Sequence, residues 1–207
     1  MQEIAPKIQV ETAYTGVTLG AISWPHMQVL IDTPFQQEDI RTWRATLHTL
    51  HPRGERLVVC LDDHMDRTIG SRGFDCMVIG HEKLAQLFKD RPVTLKSQGI
   101  DTGSDWEANN LTGSTRWFAP EVTFSDRLEL TWDEHLLVLE HRPGSSSAAI
   151  WASLPEEKVI FLGDAVITDA PPFLATASIP TWIESLSALL KSEYKHTIFV
   201  SGRNGVI

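Results

Sequence analysis

Three short polar clusters in this sequence hold residue types able to do chemistry. Asp62-Asp63-His64-Met65-Asp66-Arg67 sets three carboxylates and an imidazole directly after the apolar run Leu57-Leu61. Acids crowded at a strand end repel one another unless a cation joins them. Asp62, His64 and Asp66 alternate, so a tight loop could converge them on one metal ion. Glu140-His141-Arg142-Pro143-Gly144-Ser145 and Phe161-Leu162-Gly163-Asp164 also follow apolar runs. Taken alone, the first cluster reads equally well as a solvated acidic turn, and a single His or Gly-Asp pair as a turn group. Together, at three strand ends, they point to a site, because α/β sheets deliver ligands there.

The elements that must position these clusters are legible from periodicity. Short β-branched runs at Ile8-Val10, Val17-Ile22 and Met27-Ile31 predict strands. From Asp39 the apolar period changes, and Ile40, Trp43, Leu47 and Leu50 predict a helix that Pro52-Arg53-Gly54 ends. Leu57-Leu61 predicts a strand buried on both faces. Met77-Ile79 is a strand and His81-Lys89 a helix, with His81 before Glu82 as a cap. Residues 97–116 are rich in Ser, Thr, Gly, Asn and Asp and read as a surface excursion, with Trp106 and Trp117 as candidates to line a cleft. Strands follow at Val122-Phe124, Leu128-Leu130, Leu136-Leu139, Ala148-Trp151 and Val159-Leu162, then a helix from Pro180 and a strand at Thr197-Val200. That order predicts an α/β protein with two mixed sheets.

Composition narrows the class. The 207 residues suit a single domain over 1–207, with 42% hydrophobic and 22% charged residues. A net charge of -9 without any Lys/Arg run argues against a nucleic-acid partner. No stretch reaches the about 18 apolar residues of a membrane helix, so no membrane partner is expected. Cys60 and Cys76 form no C-x-x-C. Two thiols with no export signal predict a cytoplasmic location.

The chain resembles the metallo-β-lactamase fold superfamily, which includes glyoxalase II and ribonuclease Z, from about residue 15 to the end. Val29-Leu30-Ile31-Asp32-Thr33 resembles its early L-I-D-T-G. Asp62 to Arg67 falls where the family carries H-x-H-x-D-H, and His141 to Ser145 resembles H-T-P-G-S, whose His is a ligand. Gly163-Asp164 resembles the pair whose Asp bridges two metals, and Ser201-Gly202-Arg203-Asn204-Gly205 falls at the final G-H-G ligand loop. The resemblance implies a four-layer αββα sandwich of two mixed β-sheets flanked by helices. The chain ends soon after Gly205, so the family's last helix is expected to be missing.

Departures from the pattern shape the functional expectation. Asp62 replaces the first His, Arg67 the last, and the final loop has no His. Guanidinium has no lone pair for a metal. The resemblance thus implies one divalent ion, zinc first with iron or manganese as alternatives, held by Asp62, His64, His141 and Asp164. Such a centre would hydrolyse a small-molecule ester, thioester, lactone or amide with an activated water. Asp66 would orient the water and Arg67 would anchor a substrate carboxylate. Partners are then the small-molecule substrate and, with a homodimer open, a second copy. The competing expectation is a metal-free binding or interaction module, in which Arg67, Arg142 and Arg203 neutralise Asp62, Asp66 and Asp164.

Overall fold

Two mixed sheets pack face to face, and each carries helices on its outer side. The structure, a computed structural model, describes residues 1–90, 118–174 and 176–207. The first sheet holds seven strands in sequence order: β1 (Gln2–Ala5), β2 (Ile8–Glu11), β3 (Leu19–Ser23), β4 (Met27–Ile31), β5 (Glu55–Val59), β6 (Met77–His81) and β7 (Val122–Phe124). Pairing is antiparallel from β1 to β4 and parallel from β4 to β7. The second sheet contains β8 (Arg127–Trp132), β9 (His135–His141), β10 (Ile150–Leu154), β11 (Val159–Gly163), β12 (Ile198–Ser201) and β13 (Gly205–Val206), in the order β13-β12-β11-β10-β9-β8. Only β11 and β12 run parallel.

The central core lies between the sheets. Val29, Ile31, Leu57 and Val59 of the first meet Leu137, Leu139, Ile150, Ala152 and Phe161 of the second. Helix α1 (Gln37–Leu50) covers the outer face of the first sheet with Ile40, Trp43 and Leu47, the predicted stripe. A short helix, α2 (Met65–Thr68), follows β5, and helix α3 (Glu82–Asp90) adds Leu84 and Phe88 to the same outer face. Helix α4 (Ile179–Leu189) lies over Trp151, Ile160 and Leu162 of the second sheet. This is the expected αββα layering.

The differences from the periodicity reading are local. β1 and β13 were not expected. β1 is largely exposed and β13 has two residues, so neither carries a strong apolar signal. The strand expected at Ala148-Trp151 begins two residues later, because the Ala149 amide closes a turn on the Ser146 carbonyl. The polar segment 97–116 and Trp117 lie outside the described residues, and with them Trp106. No described helix is long and apolar enough to cross a membrane.

Topology fixes the edge at which chemistry could sit. β4 and β5 are parallel, so Asp32 and the Asp62 loop leave adjacent strand ends. β11 and β12 are parallel as well and deliver Asp164 and Arg203 side by side. The Ile150 amide donates to the Leu61 carbonyl at 2.8 Å, tying the sheets together beside these ends.

Candidate functional site

The Asp62 loop is held in place by its own backbone. Asp32 sits at φ 57°, a conformation Asp tolerates better than most residues, and its Oδ1 accepts from the Leu61 amide at 2.9 Å. The His64 amide donates to Asp62 Oδ1 at 2.9 Å, and α2 starts at the next residue. Thr33 anchors this helix, donating from both its amide and its hydroxyl to the Arg67 carbonyl. The Ser146 hydroxyl donates to Asp63, joining the His141–Ser146 loop to the same turn.

These anchors place Arg67 in the middle of a carboxylate cluster with its side chain fully buried. Nη2 donates to Asp164 Oδ1 in a short ion pair. Nη1 lies 3.4 Å from Asp62 Oδ2 and 3.6 Å from Asp32 Oδ2, and Nε lies 4.0 Å from Asp66 Oδ1. Room for the guanidinium comes from Gly202, where a Cβ would run into Arg67 Nη1 and sit 2.9 Å from Asp164 Oδ1. Arg203 enters from the other side. Its Nε and Nη2 donate to Asp164 Oδ2 at 3.1 and 3.0 Å, and its Nη1 donates to Asp66 Oδ2 and to the Gly16 carbonyl, each at 2.7 Å.

His64 completes the cluster. Its Nδ1 lies 3.0 Å from Asp62 Oδ2 and 3.4 Å from Asp164 Oδ2. Burial opposes the imidazolium, but the Asp62 carboxylate beside it, helped by Asp164, outweighs burial and lifts the His64 pKa to about 9. Desolvation likewise pushes Asp62 up, yet Arg67 and His64 hold it well below the usual carboxylate range. Asp32 goes the other way. Burial, only partly offset by Arg67, raises it to about 8. Three cations, Arg67, Arg203 and His64, therefore face the three carboxylates Asp62, Asp66 and Asp164. Phe173 closes over the cluster, with its ring 5.1 Å from that of His64 and 4.6 Å from the Arg203 guanidinium carbon.

The structure brings three of the four residues expected as metal ligands together and sets the fourth apart. Asp62, His64 and Asp164 do converge, their ligand atoms lying within 4.8 Å of one another. His141 is not in this group. Its Nε2 is 2.9 Å from the Ser147 carbonyl oxygen, and its ring stacks on His81 at 3.7 Å. β9 ends there, so His141 meets the end of β6 instead of the Asp62 loop. His81 caps α3 as expected, its Nδ1 accepting from the Lys83 amide at 3.2 Å. Asp66, expected to orient a water, and Arg67, expected to anchor a substrate carboxylate, lie inside the ion-pair cluster. Both side chains are fully buried, so Arg67 offers no free face to a substrate carboxylate and Asp66 is taken up by Arg203. Asp32 and Phe173 were missed as members of the cluster. Asp32 stood within a quoted motif but had been assigned no charge role. Phe173, in a Pro-rich stretch, gave no signal.

Similar structures decide the fold. A metallo-β-lactamase from Pontibacter korlensis superposes with a TM-score of 0.75 at 18% identity, covering 99% of this chain and 91% of that one. A metallo-β-lactamase family protein from Thermus thermophilus gives 0.72 at 16%, covering 99% and 76%. The chain has the metallo-β-lactamase fold. The stereoselective inverting sec-alkylsulfatase Pisa1 from a Pseudomonas species also matches at 0.75 and 17%, although the chain spans only 38% of that protein. No family profile and no curated protein matches the sequence. On this metallo-β-lactamase fold, β4, β5, β11 and β12 bring the cluster to one sheet edge.

The fold implies a metal centre, and the donor set can be tested for one. Arg203 bridges Asp66 and Asp164, filling the space between two carboxylates that would share a second ion. Around a first ion, Asp164 is already spent, since both of its oxygens accept from arginines. Asp62 Oδ2 and His64 Nδ1 face each other at 3.0 Å in an ion pair. Even released from each other, two donors fall short of the three protein ligands that catalytic zinc sites use. Arg67 Nη1, itself cationic, lies 3.4 Å from one of the two. The residues do not fit a two-metal centre, and they fit a single ion poorly.

Proposed function

We propose that this is a metal-free protein of the metallo-β-lactamase fold, in which an Arg-His-Asp network replaces the metal centre and the chain acts as a binding module, not a metallohydrolase. The observation that carries this reading is the buried Arg67 guanidinium, ion-paired with Asp164 and set within 4 Å of Asp32, Asp62 and Asp66. Unpaired buried carboxylates would be strongly unfavourable. Arg67, Arg203 and His64 supply the compensating charge from within the chain, and supply it to both sheets at once. The network would then hold the sheet ends together, the structural part of what a metal does elsewhere.

A second reading has one observation in its favour. Asp62, His64 and Asp164 cluster as metal ligands do, and neighbours in fold include metallo-β-lactamases and an alkylsulfatase. In that reading one divalent ion sits beside Arg67 and the chain hydrolyses a small molecule. Elemental analysis of protein purified without added metal separates the two. The metal-free reading expects zinc, iron and manganese well below one equivalent. One retained equivalent that is lost in His64→Ala would establish the single-metal reading in its place.

A further inference from the structure

We propose that a groove between the end of β9 and helix α4 binds a small molecule through its carboxylate or phosphate group. The groove has a volume of about 490 Å³ and is lined by His141, Arg142, Thr181, Glu184, Ser185 and Lys191, among others. That size lies within the range of small-molecule sites. None of Asp62, His64 and Asp164 lines the groove.

Two cations reach the groove from different elements. Arg142 follows β9, and Lys191 follows α4. On a chain of net charge -9, the groove brings two cations together, Arg142 and Lys191, beside the acids Glu140 and Glu184. Arg142 is held in position, its guanidinium carbon 5.3 Å from the centre of the Trp151 ring. Nη2 reaches Glu140 at 3.4 Å, but Nε is buried and has no hydrogen-bond partner. The planar guanidinium matches both carboxylate and phosphate geometry.

The remaining lining residues set what can enter. The Thr181 hydroxyl donates to the Ser178 carbonyl, which leaves its oxygen able to accept from a ligand. Glu184 and Glu140, the acid paired with Arg142, balance the two cations.

The test is calorimetric titration of the full chain at low ionic strength with inorganic phosphate and, separately, with succinate. Saturable binding of at least one is expected, and the tighter of the two assigns the head group. Arg142→Gln should weaken it by about tenfold or more, and Lys191→Gln by a smaller factor. Glu184→Gln should tighten it, because a like charge leaves the site; a variant that merely damaged the fold would not do so. Absence of saturable binding of either anion would overturn the proposal. So would binding indifferent to Arg142→Gln, or binding weakened by Glu184→Gln.

Discussion

The ion-pair cluster and the α4 groove each contain an arginine that follows a strand of the second sheet, yet their charges are treated in opposite ways. In the cluster, Arg67 is wholly buried and Arg203 is 10% exposed, and each meets more than one carboxylate. In the groove, Arg142 is 33% exposed, touches a single acid at 3.4 Å and has a buried Nε that nothing accepts from. Charge neutralised inside the protein stabilises the fold. A guanidinium that is one-third exposed and held by one long ion pair is available to a ligand. On the proposed reading the Asp62–Asp164 cluster is structural and the flanking groove binds the ligand.

Breaking the cluster should have the largest effect. Arg67→Met removes the cation that Asp62 and Asp164 share and should destabilise by about 3–5 kcal/mol in denaturant unfolding, the cost of leaving buried charge uncompensated. Arg142→Met should cost no more than about 1 kcal/mol in the same assay, as for an exposed pair. Similar losses in the two variants would erase the distinction between the regions.

The pH dependence of stability sharpens the comparison. The His64 pKa is raised in the folded state from 6.5 to about 9. Its contribution is therefore fully present below about pH 6.5 and is lost as pH rises toward about 9. Asp32, raised from 3.8 to about 8, acts in the same direction, because the unfolded chain gains from ionising it first. Asp62 is depressed, so its contribution is present above the unfolded value of 3.8 and is lost as pH falls below it. Thermal midpoints should decline between pH 6.5 and 9, and His64→Gln should flatten most of that decline. A variant altered only at Arg142 should keep the wild-type profile.

The smallest expected effect is at the seam between cluster and groove. Ser146→Ala removes the hydroxyl that donates to Asp63 and should cost about 1 kcal/mol. It should leave anion binding in the groove unchanged, as judged by the same titration used for Arg142→Gln.

How much of this was legible beforehand depends on the range of the interaction. Met27–Ile31 and Val122–Phe124 were read to the residue, and the Ile40, Trp43 and Leu47 stripe faces the sheet as expected. Local periodicity carries that information. Convergence of Asp62, His64 and Asp164 was also legible, since each follows an apolar strand. The placement of His141 against His81 was not legible, because it depends on how β9 ends against β6, two strands in different sheets. Motif spacing does not encode that meeting. Whether Arg67 points into the cluster or out to a substrate was undecidable from sequence for a related reason. The space it fills exists because Gly202, 135 residues away in sequence, lacks a Cβ.

The central claim is that the chain's own cations have taken over from metal, and ligand-induced stabilisation tests it most directly. The thermal midpoint of the wild-type chain should be measured across zinc and manganese titrations, with a chelator as baseline. A ligand that binds only the native state raises stability by RT ln(1 + [L]/Kd). The account predicts a midpoint that neither metal raises and the chelator does not lower. A midpoint that climbs with metal concentration and ceases to respond in His64→Ala would contradict it.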